Sequence, residues 1–170
     1  MLFASEAEFV SACTELVKRI SAVMNEKHLT ASAAESLTGG LVSSEIVRVP
    51  GVSAWFLEGC VTYTDGAKKR RLGVSPDTLS SHTAVSRETA REMAEGMIET
   101  SGSDIAVSAT GLAGPGPDEY GRPAGLVFIG GASKNGSITK ELRLEGSRIV
   151  IRRQAAYEAL KLMLGLVLSA

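Results

Sequence analysis

The feature that most constrains how this chain folds is the stretch covering residues 29–46. Small and β-capable residues lead up to Ser36, two glycines follow at Gly39 and Gly40, and the apolar residues beyond them have helical spacing. This pattern predicts a strand, a tight turn and a helix over about residues 38–47. Backbone N–H groups at a helix N-terminus are unpaired and carry partial positive charge, so we expect donors for an anion to converge at Ser36.

Two interpretations of Ser36 stay open at this point. Serine and threonine are preferred helix caps, so Ser36 or Thr38 can serve only to bond the first N–H groups of the helix. The alternative is a nucleophile beside an oxyanion site. The surrounding residues form neither the Gly-x-Ser-x-Gly elbow of α/β-hydrolases nor the Lys-Ser/Thr ending of a P-loop, so neither mechanism transfers to this chain.

Length and composition fit one domain over residues 1–170, with 44% hydrophobic residues and a formal charge of −1. Interspersed acidic and basic residues argue against a nucleic-acid surface or a polybasic membrane anchor. The N-terminus lacks a signal-peptide pattern, and the apolar tail is shorter than the roughly 20 residues that span a bilayer. We therefore expect a cytoplasmic protein with no nucleic-acid or membrane partner.

The cysteines and histidines are too few and too isolated for a disulfide framework or a metal site. Cys13 falls on the apolar stripe of a predicted helix and Cys60 in a predicted strand, which favours core thiols. His28 and His82 lack ligand-type neighbours at metal-binding spacing. We predict no metal ligand and no cofactor.

Helices and strands alternate along the rest of the chain. Capping residues, periodicity and turn signals predict helices after Ser5 and Ser86, a short helix closed by Gly73, a turn of helix at Pro76 and a last helix over residues 147–168. The same signals predict strands from Phe56 and at residues 104–110, 126–132 and 138–144. The Asn135-Gly136 pair predicts that the last two strands form an antiparallel hairpin. The predicted fold class is α/β, a three-layer α/β/α sandwich on a mixed, mostly parallel sheet.

Two further segments are expected at the same sheet edge as Ser36. Lys68 begins a run of four cations in one helical turn, and it is the best placed to face inward because it follows the preceding strand most closely. Residues 111–125 form a long glycine- and proline-rich loop, and such loops are either irregular connections or functional. Ligands bind at this edge in open α/β sheets, where glycines let backbone N–H groups approach phosphate and Thr110 can add a hydroxyl.

Three segments, in this order, resemble the CinA C-terminal-domain family: Glu35-Ser36-Leu37-Thr38-Gly39-Gly40, Val61-Thr62-Tyr63-Thr64-Asp65-Gly66-Ala67-Lys68 with Leu72-Gly73-Val74, and Thr110-Gly111-Leu112-Ala113-Gly114-Pro115-Gly116. The resemblance extends from about Phe9 to Leu164 and is supported by Ala84-Val85-Ser86 and by Gly146-Ser147-Arg148 before Ile151-Arg152. The chain departs from the family pattern at Thr64-Asp65-Gly66, Pro117, Ala124, Leu126 and Ser147. None of these departures removes an implied catalytic group.

The resemblance implies a nicotinamide-nucleotide amidohydrolase, which converts nicotinamide mononucleotide (NMN) and water to nicotinic acid mononucleotide and ammonia in pyridine nucleotide salvage. By position, Ser36 is the implied nucleophile and Lys68 its general base, with Tyr63 close to the reacting amide. The implied substrate-binding residues are Thr38, Gly39, Gly40, Thr110, Gly111, Gly114, Gly116 and Arg148. The family also implies a homodimer or higher homo-oligomer, without a cofactor.

A lysine base must be neutral for part of the time, and we expect burial and the neighbouring cations Lys69, Arg70 and Arg71 to lower the pKa of Lys68. Two other classes of function stay open. One is a non-catalytic nucleotide-binding or regulatory module linked to competence or the DNA-damage response, in which Ser36 only donates to phosphate. The other is a structural oligomerisation domain, for which the long glycine loop and the buried basic position would have no purpose. Separately, each site residue has a non-functional interpretation: Tyr63 as a strand residue at the core edge, Lys68 as a solvated charge, and Arg148 as the partner of a carboxylate such as Glu145.

Overall fold

The computed structural model describes Phe3 and residues 5–170, which form one five-stranded sheet with helices on both faces. The strands are β1 (Ala31–Glu35), β2 (Phe56–Val61), β3 (Ile105–Gly111), β4 (Leu126–Ser133) and β5 (Gly136–Arg143). The helices are α1 (Glu6–Lys27), α2 (Leu41–Val47), α3 (Asp65–Leu72), α4 (Pro76–His82), α5 (Arg87–Ser101) and α6 (Arg148–Ser169). A 3₁₀ turn over Val52–Ala54 precedes β2.

The strand order is β2-β1-β3-β4-β5, so β1 is an interior strand between β2 and β3, and all five of its residues are buried. Strand β1 pairs in parallel with β2 and β3, and β4 pairs in antiparallel fashion with β3 and β5. Four strands therefore run in one direction and β4 alone runs in the other, which confirms the predicted α/β fold with its hairpin. The carboxyl ends of β1, β2, β3 and β5 meet at one edge, which brings together the segments that follow them.

Each face of the sheet has its own hydrophobic core. Helices α1, α2 and α6 cover one face, where Phe9, Cys13 and Leu160 are buried. Helices α3 and α5 cover the other, where Met93 and Met97 pack against the sheet. Cys60 lies beside this second core, with its Sγ 3.5 Å from the Sδ of Met97. Both cysteines are free, and the prediction of a core thiol is confirmed for Cys13, whereas Cys60 is only partly buried against the second core.

The helix that carries Lys68 is fixed by close packing. Thr64 caps α3 by accepting a hydrogen bond from the Ala67 N–H at 3.2 Å, and Gly73 ends the helix in the left-handed region with φ of 65°. A Cβ on Gly96 of α5 would overlap the carbonyl group of Leu72. Glycine at this position therefore lets α5 press directly against the end of α3.

The turn after β1 differs from the prediction at one boundary. Helix α2 begins at Leu41 rather than near Thr38, because Gly39 and Gly40 adopt φ of 61° and 94°, which a right-handed helix cannot contain. Gly40 is the N-cap residue and has no side chain to cap the helix, and neither the Ser36 nor the Thr38 side chain accepts from its first N–H groups. The interpretation of Ser36 or Thr38 as a simple cap of α2 is therefore wrong.

No helix within Phe3 and residues 5–170 combines the length and the apolar character needed to cross a bilayer.

Candidate active site

Ser36 and Lys68 meet in a buried pair at the carboxyl edge of the sheet. The Nζ of Lys68 lies 3.1 Å from the Oγ of Ser36 and 2.9 Å from the carbonyl oxygen of Thr62. Ser36 is 8% exposed and Lys68 is 1% exposed. Two residues that are 32 positions apart in the sequence thus share a hydrogen bond away from bulk water.

The environment of Lys68 favours its neutral form. Burial lowers the pKa of Lys68 from its ordinary value of 10.5, and the negative charge of Asp65 partly opposes this shift. The expected contribution of the next three cations is wrong, since Lys69, Arg70 and Arg71 are exposed and are not among the causes of the lowered pKa. A neutral amine at this position can accept the Ser36 hydroxyl proton while one of its own N–H groups donates to Thr62.

Glu35 holds the helix end that was expected to serve Ser36. Its buried carboxylate accepts hydrogen bonds from the N–H groups of Gly40, Val42 and Ser43 at 2.9, 3.0 and 2.9 Å, and from the Ser43 hydroxyl at 2.7 Å. A carboxylate is favoured at a helix N-terminus, so these donors are occupied within the protein. The expectation that the α2 donors converge on Ser36 is therefore wrong.

Two other backbone donors lie beside Ser36. In the described part of the chain, the N–H groups of Leu37 and Thr38 take part in no hydrogen bond. The carbonyl oxygen of Ser36 accepts from the Gly39 N–H at 3.1 Å. The Leu37 and Thr38 carbonyls accept from Arg152 at 3.0 and 2.6 Å. The carbonyls of Ser36, Leu37 and Thr38 are thus occupied, while two N–H groups immediately after the candidate nucleophile are free.

An open groove of about 220 Å³ extends beside this turn and is lined by Leu37, Tyr63, residues 111–118 and Arg148. The Arg148 guanidinium donates to the Gly114 carbonyl at 2.7 Å and to the Tyr63 hydroxyl at 3.2 Å. Arg148 is therefore bound to the groove itself, and not to Glu145 or another carboxylate among the residues that the structure describes. Tyr63 is 59% exposed, so its ring is open to a ligand.

The remaining predicted site residues are glycines at the groove and two buried threonines. Gly111, Gly114 and Gly116 all line the groove; Gly114 and Gly116 have positive φ, at 78° and 75°, and Gly111 also ends β3, where it pairs with Val127. Thr110 is buried and its hydroxyl donates to the Ala84 carbonyl at 2.6 Å, so its proton is already engaged. Thr38 is also buried, and within the described residues its Oγ1 has no hydrogen-bond partner.

A clamp made by Asp118 and Arg122 shapes the far side of the groove. Arg122 pairs with Asp118 at 2.6 Å, and its guanidinium also donates to the Thr83 hydroxyl and the Val85 carbonyl, both at 2.9 Å. Burial acts to raise the pKa of Asp118, but the hydrogen bonds and charge of Arg122 outweigh it and hold this pKa below its usual value. The clamp ties the glycine-rich loop to the segment between α4 and α5.

Three of these residues received no individual role from the sequence: Glu35, Arg152 and Arg122. An acidic residue shortly before a predicted helix start is the signal that identifies Glu35, because a carboxylate is stable there. Arg152 lies four residues after Arg148 on a helix, so both reach the same edge. No local pattern identifies the partners of Arg122, which are distant in sequence.

In Phe3 and residues 5–170 no group of three or more His, Cys, Asp and Glu side chains is arranged to hold a metal ion.

Comparisons with known proteins place this arrangement in a family. One curated relative is a Clostridium botulinum (strain Okra / Type B1) protein named "Putative competence-damage inducible protein"; it is 43% identical over 152 residues, which cover 89% of this chain and 37% of the relative. A Clostridium kluyveri protein of the same name is 47% identical over 135 residues, which cover 79% of this chain and 33% of the relative. The chain therefore spans about a third of the length of these curated relatives.

Solved structures match over nearly the whole chain. The competence/damage inducible protein CihA from Agrobacterium tumefaciens is 38% identical, with a TM-score of 0.87, covering 91% of this chain and 95% of that one. A CinA superfamily protein from Klebsiella pneumoniae 700603 is 30% identical, with a TM-score of 0.89, covering 93% and 99%. The profile of the CinA C-terminal domain matches residues 13–167. On fold, sequence identity and coverage together, the chain belongs to the CinA C-terminal domain family.

Proposed function

We propose that this chain hydrolyses the carboxamide of NMN to nicotinic acid mononucleotide and ammonia. The observation that carries the proposal is the buried contact between Ser36 and Lys68, with Nζ 3.1 Å from Oγ. A serine hydroxyl is a weak nucleophile at neutral pH unless a base lies within hydrogen-bond reach, and a buried lysine with a lowered pKa is such a base. The choice of NMN rests on the resemblance of the site motifs to the family's amidohydrolases.

In the first step, neutral Lys68 takes the hydroxyl proton as the Ser36 Oγ attacks the carboxamide carbon. The carbonyl oxygen becomes an oxyanion, and the free N–H groups of Leu37 and Thr38 are the donors adjacent to it. An oxyanion donor of this kind is worth about 3 to 4 kcal/mol. Lys68 keeps one N–H on the Thr62 carbonyl throughout, which fixes its lone pair toward Ser36.

In the second step, the bond between carbon and nitrogen breaks. The Lys68 ammonium returns its proton to the leaving nitrogen, ammonia departs, and an ester remains on Ser36. Water then attacks this ester while Lys68 takes one of its protons, and the proton passes to the Ser36 Oγ as nicotinic acid mononucleotide leaves. Each proton that Lys68 accepts is given up within the cycle, so the enzyme ends as it began.

The groove supports recognition of a nucleotide phosphate. Arg148 is a fixed cation at its rim, and the positive-φ glycines Gly114 and Gly116 keep the adjacent backbone free of side chains. Because the phosphate is remote from the reacting amide, its binding orients the substrate without taking part in the chemistry.

The direct test is ammonia release from NMN by the purified chain, compared with Ser36→Ala, Lys68→Met and Lys69→Met. Lys69 is the matched control because it neighbours Lys68 in the same helix but is exposed. We expect the Ser36 and Lys68 variants to lose at least about a thousandfold in kcat, since residues acting as a unit fail together, and Lys69→Met to retain wild-type activity. An NMN-dependent rise in Tm reports binding separately from turnover.

The outcomes separate the three classes of function. An inactive wild type that is stabilised by NMN would overturn the amidase proposal in favour of a nucleotide-binding or regulatory module. No activity and no stabilisation would favour a structural domain. Equal losses in Lys68→Met and Lys69→Met would reject Lys68 as the base.

A further inference from the structure

Arg152 bonds directly to the peptide group that carries the Thr38 N–H, and it is linked to the group that carries the Leu37 N–H through one further hydrogen bond. We propose that Arg152 is a positioning residue that orients and polarises the N–H groups of Leu37 and Thr38 for an oxyanion. The inference rests on the proposed serine and lysine chemistry, and it assigns a role to a side chain that touches neither Ser36 nor the groove.

The Thr38 donor is controlled directly. The Arg152 Nε donates to the Leu37 carbonyl oxygen at 3.0 Å. This carbonyl and the Thr38 N–H belong to the same trans peptide group, so they point in opposite directions. Holding the carbonyl against Arg152 therefore aims the Thr38 N–H away from the guanidinium. A hydrogen bond from a cation also polarises the peptide group and makes its N–H a stronger donor.

The Leu37 donor is controlled through one relay. The Arg152 Nη2 donates to the Thr38 carbonyl at 2.6 Å, and the Gly39 N–H of that same peptide group donates to the Ser36 carbonyl at 3.1 Å. The Ser36 carbonyl shares its peptide group with the Leu37 N–H. A continuous chain of hydrogen bonds thus runs from Arg152 to the second free donor, and bonds in such a chain strengthen one another.

The fork of Arg152 is committed to this turn. Among the described residues Arg152 forms no salt bridge, whereas the adjacent Arg153 pairs with Glu6. The side chain is partly buried, and a Cβ on Gly39 would lie 3.2 Å from its Nη2. The glycine at position 39 therefore leaves room for the guanidinium as well as allowing the positive φ of the turn. Two carbonyls held by a planar fork are a geometry that lysine cannot reproduce.

The inference predicts a specific kinetic change. We expect Arg152→Met to lower kcat for NMN by about 10- to 100-fold, less than the loss of a complete donor, with KM nearly unchanged because the groove is untouched. Arg152→Lys keeps the positive charge without the planar guanidinium, so its kcat is expected to lie between those of the wild type and Arg152→Met. Arg153→Met is the matched control, one position along the same helix, and is expected to retain wild-type kcat. Circular dichroism and Tm identify any variant that fails to fold, and Arg152→Lys then carries the test.

A chemical rescue separates positioning from general stability. Guanidinium ion at millimolar concentration is expected to restore part of the kcat of Arg152→Ala, since it can refill the space and donate to both carbonyls. Guanidinium is a denaturant, so it would not raise the activity of a variant whose defect is instability. Absence of rescue, together with a rise in KM as large as the fall in kcat, would overturn the positioning role.

Labelling of Ser36 by a fluorophosphonate tests the turn without NMN. The Ser36 Oγ bonds to phosphorus, fluoride leaves, and the serine proton passes through Lys68 to solvent, while the phosphoryl oxygen occupies the oxyanion site. We expect Arg152→Met to slow labelling and Arg153→Met to leave it unchanged. Equal labelling of folded wild type and Arg152→Met would overturn the inference alone. Arg152-dependent labelling without ammonia release would overturn only the NMN assignment, and absence of labelling at Ser36 would overturn both.

Discussion

The turn at residues 36–40 and the loop at residues 112–125 lie at the same edge of the sheet but are held in opposite ways. The turn is short and is fixed from inside the protein: buried Glu35 occupies the N–H groups of the helix behind it, and Arg152 occupies its carbonyls. The loop is long and largely exposed, and it is fixed at a few points by Arg148, Asp118 and Arg122.

The difference indicates that, in the proposed reaction, the turn serves the chemical step and the loop serves recognition of the nucleotide. Bond making needs donors and a nucleophile held within a fraction of an ångström, which a turn with its carbonyls at Ser36, Leu37 and Thr38 held by hydrogen bonds can provide. Recognition of a nucleotide requires a surface that opens to solvent, and a glycine-rich loop anchored by surface charges is suited to that. We therefore expect changes in the turn to act on stability and kcat, and changes in the loop to act on KM.

The largest effect is expected from Glu35→Ala. Its removal leaves four hydrogen-bond donors without their acceptor at the start of α2, and bonds to a buried charged group are among the strongest in a protein. We expect the free energy of unfolding to fall by about 3 kcal/mol, measured by urea denaturation followed by circular dichroism.

Two further variants serve as comparisons for the stability loss of Glu35→Ala. Glu35→Gln keeps one acceptor oxygen but directs an amide NH₂ at backbone donors, so its loss is expected to be smaller than that of alanine. Glu15→Ala removes an exposed pair with Lys18 and is expected to change the free energy of unfolding by less than about 1 kcal/mol. A loss for Glu35→Ala no larger than for Glu15→Ala would contradict the view that the turn is held from inside.

Most of the fold follows from local sequence. The caps at Ser5 and Ser86 form as predicted, with each side-chain oxygen accepting from the N–H three residues later at 3.1 Å. The hairpin at Asn135 and Gly136 is antiparallel. These features are set by residues within a few positions of one another, where propensity and turn chemistry act directly.

The site was only partly predictable, because its details depend on contacts between distant segments. The inward orientation of Lys68 follows from its position after a strand, and it is confirmed by the structure. The occupation of the α2 donors by Glu35 was missed, since periodicity shows where a helix begins but not which carboxylate reaches it. The bonds of Arg152 to the turn span more than a hundred positions, and no pattern within α6 encodes them.

The second expected effect is a pH dependence of activity and stability that arises from Lys68, beside the turn, and not from the loop. Burial places the pKa of folded Lys68 below its ordinary 10.5, so kcat/KM should rise about tenfold per pH unit and level off at an inflection below 10.5. In the window between the folded and unfolded pKa the unfolded chain binds more protons, so stability should also rise with pH there. Lys68→Met should lack this rise in stability. The clamp of the loop should not titrate in this range, because the lowered pKa of Asp118 keeps its carboxylate ionised.

A pH profile of wild-type activity from neutral to alkaline conditions, with urea denaturation of wild type and Lys68→Met in parallel, checks both parts. A rate that falls as pH rises over this range would contradict a lysine base. An equal slope of stability against pH in the two proteins would show that Lys68 is not the group responsible.

A smaller effect is expected at the rim of the groove. Arg148→Met removes the cation proposed to face the phosphate, so we expect KM for NMN to rise about tenfold while kcat changes little. Nicotinamide riboside, which lacks the phosphate, should be processed equally well by wild type and Arg148→Met. If Arg148→Met still prefers NMN over the riboside, the phosphate must be bound by residues other than Arg148.

The smallest effect is expected from Arg122→Met, which frees the far end of the loop from Asp118, Thr83 and Val85. These contacts are distant from Ser36, so kcat should be unchanged and KM should rise only a few-fold as the loop orders less often. Arg91→Met, which removes another surface pair, with Glu95, is the control and should change neither constant. A fall in kcat for Arg122→Met would mean that the loop positions reacting atoms as well as the nucleotide, and the division between a catalytic turn and a recognition loop would no longer hold.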